Sequence, residues 1–292
     1  MRPVFLSLLA VLGVGAGLPV QSQNVIPARP DPGIRGSLEA VYASWRVAME
    51  RRDLPAWERS TSLSRQIQTR NRIVSQKAPF PEALFSDPIA SPPLGGLVAL
   101  GVFSTGETAT STYFGRANFG ASDIPISDNL LVLQFHREDD GWKFDKLRLV
   151  KTGNDGEILL QIRNQDFSFL RGEEFQPEPL PPIPQPVSTP DFIGELWVSS
   201  IGYDTEIRVN GHLCAQVSNG SGKDLVMGGV RRGTNSIEIR TKPVLSEAQS
   251  PSRLEIAIYA AEGPGRPAQR VFHFRPGAEV PPLLQETFTS PQ

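Results

Sequence analysis

The sequence contains one cysteine and three histidines in 292 residues, and both shortages exclude common kinds of chemistry. Cys214 has no second cysteine to pair with, so no disulfide bond within the chain holds the fold together. Its strand-like neighbours predict a small buried hydrophobe rather than a catalytic thiol. His136, His212 and His273 are widely separated, and no group of His, Cys or carboxylate residues has the short, fixed spacing of a metal site. We therefore expect neither a metal site nor a cofactor.

Neither part of the sequence has a strong excess of one sign of charge. Residues 23–172 carry a net charge of +1 and residues 173–292 carry a net charge of −4. Nucleic-acid binding needs a strongly basic surface, so we expect no nucleic-acid partner. The densest basic stretch, SRQIQTRNR at 64–72, is interleaved with Gln, Thr and Asn instead of aromatic residues. That pattern is typical of a solvated helix face.

Three glycine-containing motifs of enzymes are missing. The string SNGSGKD at 218–224 lacks the first glycine of a phosphate-binding loop, and Asp224 stands where Ser or Thr must follow the lysine. We predict that this string is a turn between strands. Asn219 begins an N-glycosylation acceptor triplet, which matters only in a host that modifies such sites. The chain has neither a Gly-x-Ser-x-Gly nucleophile motif nor the glycine pattern of dinucleotide binding.

The amino terminus has the pattern of an export signal. Arg2 precedes an apolar run of 15 residues from Val4 to Leu18, and a short stretch with small residues ends at Ser22. A membrane-spanning helix needs about 20 apolar residues, so the run is too short to be an anchor. We predict a signal peptide over 1–22, cleaved after Ser22. The expected product is a secreted or periplasmic chain with no integral membrane segment.

Helical signals follow a short irregular lead-in at 23–36, which contains three prolines and two glycines. The clearest helix begins at Ser37, a favourable N-cap residue. The apolar residues that follow have the spacing of one buried helical face: Leu38, Val41, Tyr42, Trp45 and Met49. Asp53 and Pro55 predict the start of a second helix, because Asp caps helices and Pro is tolerated in the first turn.

Strand patterns begin near residue 97 and include a strong hairpin signal, the Asp-Gly pair at 140–141. If these two residues form the loop, Glu138 lies opposite Lys143 and His136 lies opposite Asp145. The resulting favourable charge pair between Glu138 and Lys143 supports this register.

Seven prolines between Pro177 and Pro190 predict a proline-rich linker over 173–190, because such a segment forms neither a helix nor a central strand. A segment that clings to one domain has the same composition. The linker would separate a first domain over 37–172 from a second over 191–276. The second domain has seven short strand-like runs and no helical segment, which predicts a β-sandwich. Residues 277–292 are expected to form a disordered tail.

The order of elements in 37–151 resembles the ketosteroid-isomerase and nuclear-transport-factor-two-like (SnoaL-like) superfamily. The resemblance is carried by LEAVYASWRVAMERRDLPAWER and by the hairpin FHREDDGWKFDKLRLV. It implies an α+β cone-like domain with helices on a curved antiparallel sheet. This would be followed by an all-β sandwich domain that looks like a generic accessory module of exported proteins. Members of the superfamily hold an apolar ligand or a catalytic site in the cone, or serve as dimerising scaffolds.

The resemblance also suggests a candidate pocket. Isomerase-type members need a carboxylate base and an oxyanion hole inside the cone. Hydroxyl groups of Tyr42 and Tyr113 and the carboxylate of Asp128 are available. Each has an easier structural explanation, because Tyr42 lies on the buried stripe, Tyr113 in a strand and Asp128 in a loop before a strand. Arg65 and His136 complete the candidate pocket. The candidate pocket would be excluded if the side chains of Trp45, Trp57 and Phe135 filled the interior of the cone.

His136 and Asp145 form a candidate cross-strand pair. A carboxylate beside an imidazole can orient it for base catalysis. No nucleophile is identifiable next to the two, and a surface pair between strands is the other interpretation.

The combined pattern favours an exported, non-catalytic binding or assembly protein of the cell envelope or extracellular space, with two modules joined by the linker. The alternative is an enzyme or small-molecule carrier that uses the cone cavity. The expected partner is a protein, a glycan or an apolar small molecule, and a homodimer through the cone-domain sheet is possible. For a carbohydrate, Trp197 is the single indole of the predicted sandwich, with no evident aromatic platform.

Overall fold

A computed structural model describes residues 28–86, 91–116, 128–152, 156–244, 252–277 and 279–290. The predicted signal peptide lies outside these residues. The chain divides into two compact units. The first, the N-terminal unit, contains Ser22–Ile67 and Phe85–Pro184. The second, the barrel unit, contains Gln68–Leu84 and the described residues of Gln185–Gln292.

The helices match the predicted pattern where local signals are strong. They are α1 (Arg35–Arg51), α2 (Leu54–Ser60), α3 (Leu63–Ser75), α4 (Glu82–Ser86) and α5 (Gly156–Arg163). The apolar stripe of α1 is buried as expected, although the helix begins two residues before Ser37. Asp53 caps α2 by accepting a 3.0 Å bond from the backbone N–H of Ala56. No helix in the described part of the chain is long and apolar enough to cross a membrane.

The N-terminal unit is built on a five-stranded antiparallel sheet in chain order. Its strands are β1 (Arg29–Pro30), β2 (Val98–Ser104), β3 (Thr108–Arg116), β4 (Asp128–Glu138) and β5 (Gly141–Lys151). Strand β4 is buried on both faces because alternate residues contact different layers. Phe144 of β5 packs on α1, while Leu130 and Val132 of β4 join a cluster with Leu170 and Phe175. Both faces of the sheet are therefore covered by the unit's own residues.

The β4–β5 hairpin forms, but the register that we predicted for it was wrong. The loop residues are Asp139 and Asp140, so Gly141 pairs with Glu138 and His136 pairs with Lys143. Gly141 has φ = +122°, a conformation that favours glycine. A bulge between the pairings of Gln134 and Phe135 then moves the register by one residue toward the predicted one.

The barrel unit is a nearly closed antiparallel barrel and not the sandwich that we expected. Its strands are β6 (Ile193–Val209), β7 (His212–Leu225), β8 (Thr234–Pro243), β9 (Arg253–Ala261), β10 (Gln269–Phe274) and β11 (Leu283–Thr289). Strand β6 pairs with β7 along its length, with β9 in its first half and with β8 in its second half. One continuous hairpin therefore belongs to both walls, and the sheet curls instead of separating into two layers.

The bend in β6 lies at Gly202, which has φ = +79°. A Cβ atom there would lie 2.6 Å from the hydroxyl oxygen of Ser252, so only glycine fits. Strand β7 bends beside it and runs through residues 218–224, where a turn was predicted. That prediction was wrong because small, flexible residues serve the curvature of a long strand as well as they serve a turn.

The expected disordered tail instead contains β11, which pairs with β8 over seven residues. Phe288 is buried and its ring centroid lies 5.6 Å from that of Phe272. This strand escaped prediction because its pattern, LLQETFT, buries only one large side chain deeply. The last strand is thus part of the barrel core.

Residues of α3 also belong to the barrel unit. Asn71 donates a 2.8 Å bond to the carbonyl of Gln185 and accepts a 2.9 Å bond from the N–H of Val187. Ser75 accepts a 2.8 Å bond from the N–H of Gly228. These side chains hold part of the proline-rich segment and one loop of the barrel.

Candidate functional site

The interior of the N-terminal unit is packed with aromatic rings. Trp45, Trp57 and Phe135 are each at most 4% exposed. The Trp45 ring lies 4.5 Å from Phe144 between centroids, and the Tyr42 ring lies 5.3 Å from Phe144. These rings occupy the position where the candidate pocket was expected.

The tyrosines and the aspartate of the candidate pocket have separate partners. Tyr42 donates a 3.0 Å bond to the carbonyl of Pro92, and Tyr113 donates a 3.1 Å bond to Glu39. Burial raises the pKa of both phenols far above the usual range, so each hydroxyl keeps its proton. Asp128 lies at the start of β4 and forms an exposed ion pair with Arg116 at 3.6 Å. The three groups do not converge on one point.

Arg65 and His136, the other two members, meet at Asp145. Asp145 is the extra residue of the β5 bulge and its side chain is 7% exposed. The Arg65 guanidinium donates a 2.8 Å bond to its carbonyl and lies 3.5 Å from its carboxylate. His136 Nδ1 lies 3.6 Å from the same carboxylate, although the two residues are not cross-strand partners. The bulge brings the pair together.

Ser62 is the fourth member of this cluster, and sequence reasoning missed it. Its hydroxyl donates a 2.6 Å bond to the Asp145 carboxylate. The same oxygen accepts a 3.3 Å bond from the N–H of Arg65 and so caps α3. Its position directly before a helical pattern was the available signal.

This arrangement differs from a catalytic triad. In a triad the imidazole lies between the hydroxyl and the carboxylate and takes the hydroxyl proton. Here Ser62 donates directly to Asp145, so the proton is held by a carboxylate and not transferred to His136. Burial lowers the pKa of His136, although the neighbouring Asp145 opposes the shift. The cluster joins the start of α3 to the edge strand β5.

A second set of side chains lies on the outer face of the barrel unit, around a groove of about 480 Å³. One row of this face runs across four strands. Lys223 of β7 lies opposite Trp197 of β6, which lies opposite Ala257 of β9, which lies opposite His273 of β10. Ala257 has only a methyl group, so it leaves a depression between the indole and the imidazole.

The neighbouring row adds a second aromatic ring. Glu195 of β6 lies opposite Tyr259 of β9, which lies opposite Arg270 of β10. The Tyr259 ring lies 5.5 Å from the Trp197 ring between centroids, at an interplanar angle of 52°. Trp197 is 42% exposed, although large aromatic residues usually bury most of their surface. The groove therefore contains an aromatic pair made of the exposed Trp197 and the half-buried Tyr259.

Charged groups surround this pair. The Lys223 ammonium lies 3.4 Å above the Trp197 ring, and the indole N–H donates to Glu195. His273 Nε2 lies 3.2 Å from Glu255, whose other oxygen pairs with Arg253. The Arg253 hydrogen bond holds the pKa of the Glu255 carboxyl below its usual range, so the group is ionised at neutral pH.

Arg270, the arginine of the groove, differs from three other arginines of the barrel unit. Arg208, Arg240 and Arg253 each form an ion pair with a glutamate two residues away. Arg270 is exposed and forms no salt bridge with any carboxylate of the described residues. Its five N–H donors are free to meet a ligand.

Sequence reasoning found Trp197 and missed the rest of the groove. Tyr259 follows Trp197 by more than sixty positions in the printed sequence, and only the pairing of β6 with β9 makes them neighbours. The alternation within each strand was visible, but the register between distant strands was not.

Neither the cluster around Asp145 nor the barrel groove has a set of metal ligands, because the described residues contain no group of three or more His, Cys, Asp or Glu able to hold an ion.

No family model, curated protein sequence or solved structure matches this chain.

Proposed function

We propose that this is an exported, non-catalytic binding protein in which the N-terminal unit is a packed scaffold and the barrel unit binds the ligand. The observation that carries the proposal is the aromatic pair of the barrel groove, in which Trp197 is exposed and Tyr259 is half-buried. Exposed aromatic rings beside uncommitted polar groups are typical of ligand sites.

The packed interior of the N-terminal unit weakens the alternative of an enzyme or carrier. Trp45, Trp57 and Phe135 fill the space that a substrate would need. The polar groups of the expected pocket are committed to Pro92, Glu39 and Asp145. A non-catalytic role accounts for both facts.

Export and the location of the protein in the periplasm or outside the cell rest on residues 1–22 of the sequence. The superfamily resemblance of 37–151 is supported by helices packed on an antiparallel sheet. A homodimer through that sheet has less support, since Leu170 and Phe175 cover the face of β4 opposite α1.

A retention experiment tests the binding role. The chain from residue 23 onwards is immobilised and exposed to the polysaccharide and protein fractions of a cell envelope. We expect a retained component that is lost with Trp197→Ala and with Tyr259→Ala. Leu283→Ala is the matched control, because Leu283 is 48% exposed on the same barrel but does not line the groove. Equal retention by all four proteins, or by none, contradicts the proposal.

A further inference from the structure

We propose that the ligand of the barrel groove is an acidic saccharide, a sugar chain that carries carboxylate groups. The inference rests on the proposed binding function and names the chemical class of the ligand. Three properties of the groove support it: the mixture of donors and acceptors, the shape of the aromatic pair, and the uncommitted positive charge.

The groove offers both donors and acceptors within a short distance. Glu255 accepts hydrogen bonds, Arg270 and Lys223 donate them, and the hydroxyls of Ser199 and Ser221 do both. A sugar hydroxyl donates one bond and accepts others, so a saccharide needs such a mixed lining. The hydroxyl of Ser221 donates to that of Ser199, and Glu255 is paired with Arg253, but an apolar ligand would cover Arg270 without giving it a partner, at a cost in affinity.

The aromatic pair provides an apolar surface of the right kind. A sugar ring has a face of C–H groups between its hydroxyls, and this face packs on an aromatic ring. Ala257 forms the floor next to Trp197 and contributes only a methyl group, so a ring has room to lie against the indole. The Lys223 ammonium lies over the Trp197 ring, and an exposed contact of this kind is weak and easily displaced.

The charge balance selects an acidic sugar. Lys223 lies 3.9 Å from Glu195, and the lining carboxylate Glu255 is paired with Arg253 and His273. A free guanidinium binds a carboxylate through two parallel hydrogen bonds. Among the charged residues that line the groove, Arg270 has no ion pair with a described residue. A carboxylate on the ligand would supply it.

Other polymers fit less well. A proline-rich peptide docks on aromatic grooves and presents carbonyl groups that need donors, but the indole N–H of Trp197 already donates to Glu195. A nucleic acid needs several basic side chains along its phosphates, and only two Lys or Arg residues line this groove, Lys223 and Arg270. Both polymers serve as outcomes of the test.

The test uses isothermal titration calorimetry on the chain from residue 23 onwards. The probes are tetrasaccharides of galacturonate, of mannuronate and of hyaluronan, each with its methyl ester as the uncharged match. We expect at least one acid to bind about tenfold more tightly than its ester, because one charge-assisted contact contributes about that factor. Its affinity should fall as salt rises.

Two variants locate the contact. Arg270→Gln removes the charge and keeps a polar amide side chain, and we expect it to abolish the preference for the acid over the ester. Arg240→Gln is the matched control, since Arg240 is an exposed arginine on the same barrel that is paired with Glu238 and does not line the groove. It should bind as the unaltered chain does. Matching thermal transitions show that both variants fold.

Each other outcome overturns the ligand class. Equal affinity for acid and ester indicates a neutral saccharide, and binding of a proline-rich peptide or an oligonucleotide instead indicates a different polymer. If no uronate binds while envelope material is still retained through Trp197, the ligand class is wrong and the binding role stands. If neither is seen, the binding role fails as well.

Discussion

The hydroxyl of Ser62 donates a 2.6 Å hydrogen bond to the carboxylate of Asp145, 83 residues later in the chain. The bond joins the first turn of α3 to the bulge of β5. Glu138 adds a second acidic contact by accepting a 2.8 Å bond from the N–H of Leu63. Carboxylates at a helix N-terminus are stabilised by the unpaired N–H groups and the helix dipole. The contacts of Ser62 with Asp145 and of Leu63 with Glu138 therefore fix the residue at which α3 begins.

We predict that Ser62→Ala lowers the free energy of unfolding of the N-terminal unit by about 2 kcal/mol, because it removes both a helix cap and a bond to a buried carboxylate. Urea unfolding followed by tryptophan fluorescence measures this. In a Trp197→Phe background, the remaining tryptophans are Trp45, Trp57 and Trp142, all in the N-terminal unit.

Ser44→Ala is the matched control for this substitution. Ser44 is an exposed residue within α1 whose hydroxyl donates only to the carbonyl of Ala40. Alanine is favourable inside a helix, so we expect no loss of stability. A similar loss for both variants would mean that the contact between Ser62 and Asp145 contributes nothing special.

Acid should destabilise the N-terminal unit through His136. Burial holds the pKa of His136 below its ordinary value of 6.5, so the unfolded chain takes up the proton first as the pH falls. The stability that neutral His136 contributes is complete above pH 6.5. Below that pH the free energy of unfolding falls by at most about 1.4 kcal/mol per pH unit through this residue. Asp145 opposes this shift, while Arg65 and Lys146 increase it.

His136→Gln should flatten the pH dependence between about pH 7 and 5 in the same fluorescence experiment, because glutamine does not titrate. The loss of stability at lower pH, where carboxylates take up protons, should remain. An unchanged slope in the variant would rule out His136 as its source.

The last strand should be essential to the barrel. We predict that Phe288→Ala lowers stability by about 3 kcal/mol, since it leaves a cavity beside Phe272. Hydrogen exchange of the β8 amides, which pair with β11, should accelerate by about 100-fold. Leu283→Ala on the same strand is the control, because its side chain is 48% exposed. Unchanged exchange in Phe288→Ala would mean that β11 is dispensable.

Cys214 should be unreactive in the native protein. Burial raises the pKa of its thiol to about 11, so almost none is in the nucleophilic thiolate form at neutral pH. A disulfide reagent such as dithionitrobenzoate should modify it fully in urea and very slowly without urea. Rapid modification of the folded chain would contradict its buried position.

Local signals in the sequence were sufficient for the early helices. The stripe that includes Tyr42 and Trp45, and the cap at Asp53, depend on residues within one or two turns, and the structure confirms them. The hairpin register failed first at the turn, where Asp139 and Asp140 form the loop, and it changed again at the Asp145 bulge, where Ser62 makes a contact that the local pattern does not contain. Curvature was missed because a bend and a turn use the same small residues.

The groove could not be predicted for a different physical reason. Its members lie on four strands, and Trp197, Ala257 and His273 become neighbours only through long-range pairing. Within its own strand, each of these residues has the ordinary role of an outward-facing side chain. The sequence showed which side of each strand faces outward, and the structure adds which strands lie together.

Asn71 forms its hydrogen bonds with residues 114 and 116 positions later, and Ser75 binds the N–H of Gly228, 153 positions later. A ribosome therefore releases this part of α3 long before its partners exist. A barrel fragment that began at residue 191 would lack both side chains. The barrel unit can therefore be completed only after synthesis has passed the residues that Asn71 and Ser75 bind. A chain truncated before residue 185 would contain this part of α3 without those partners.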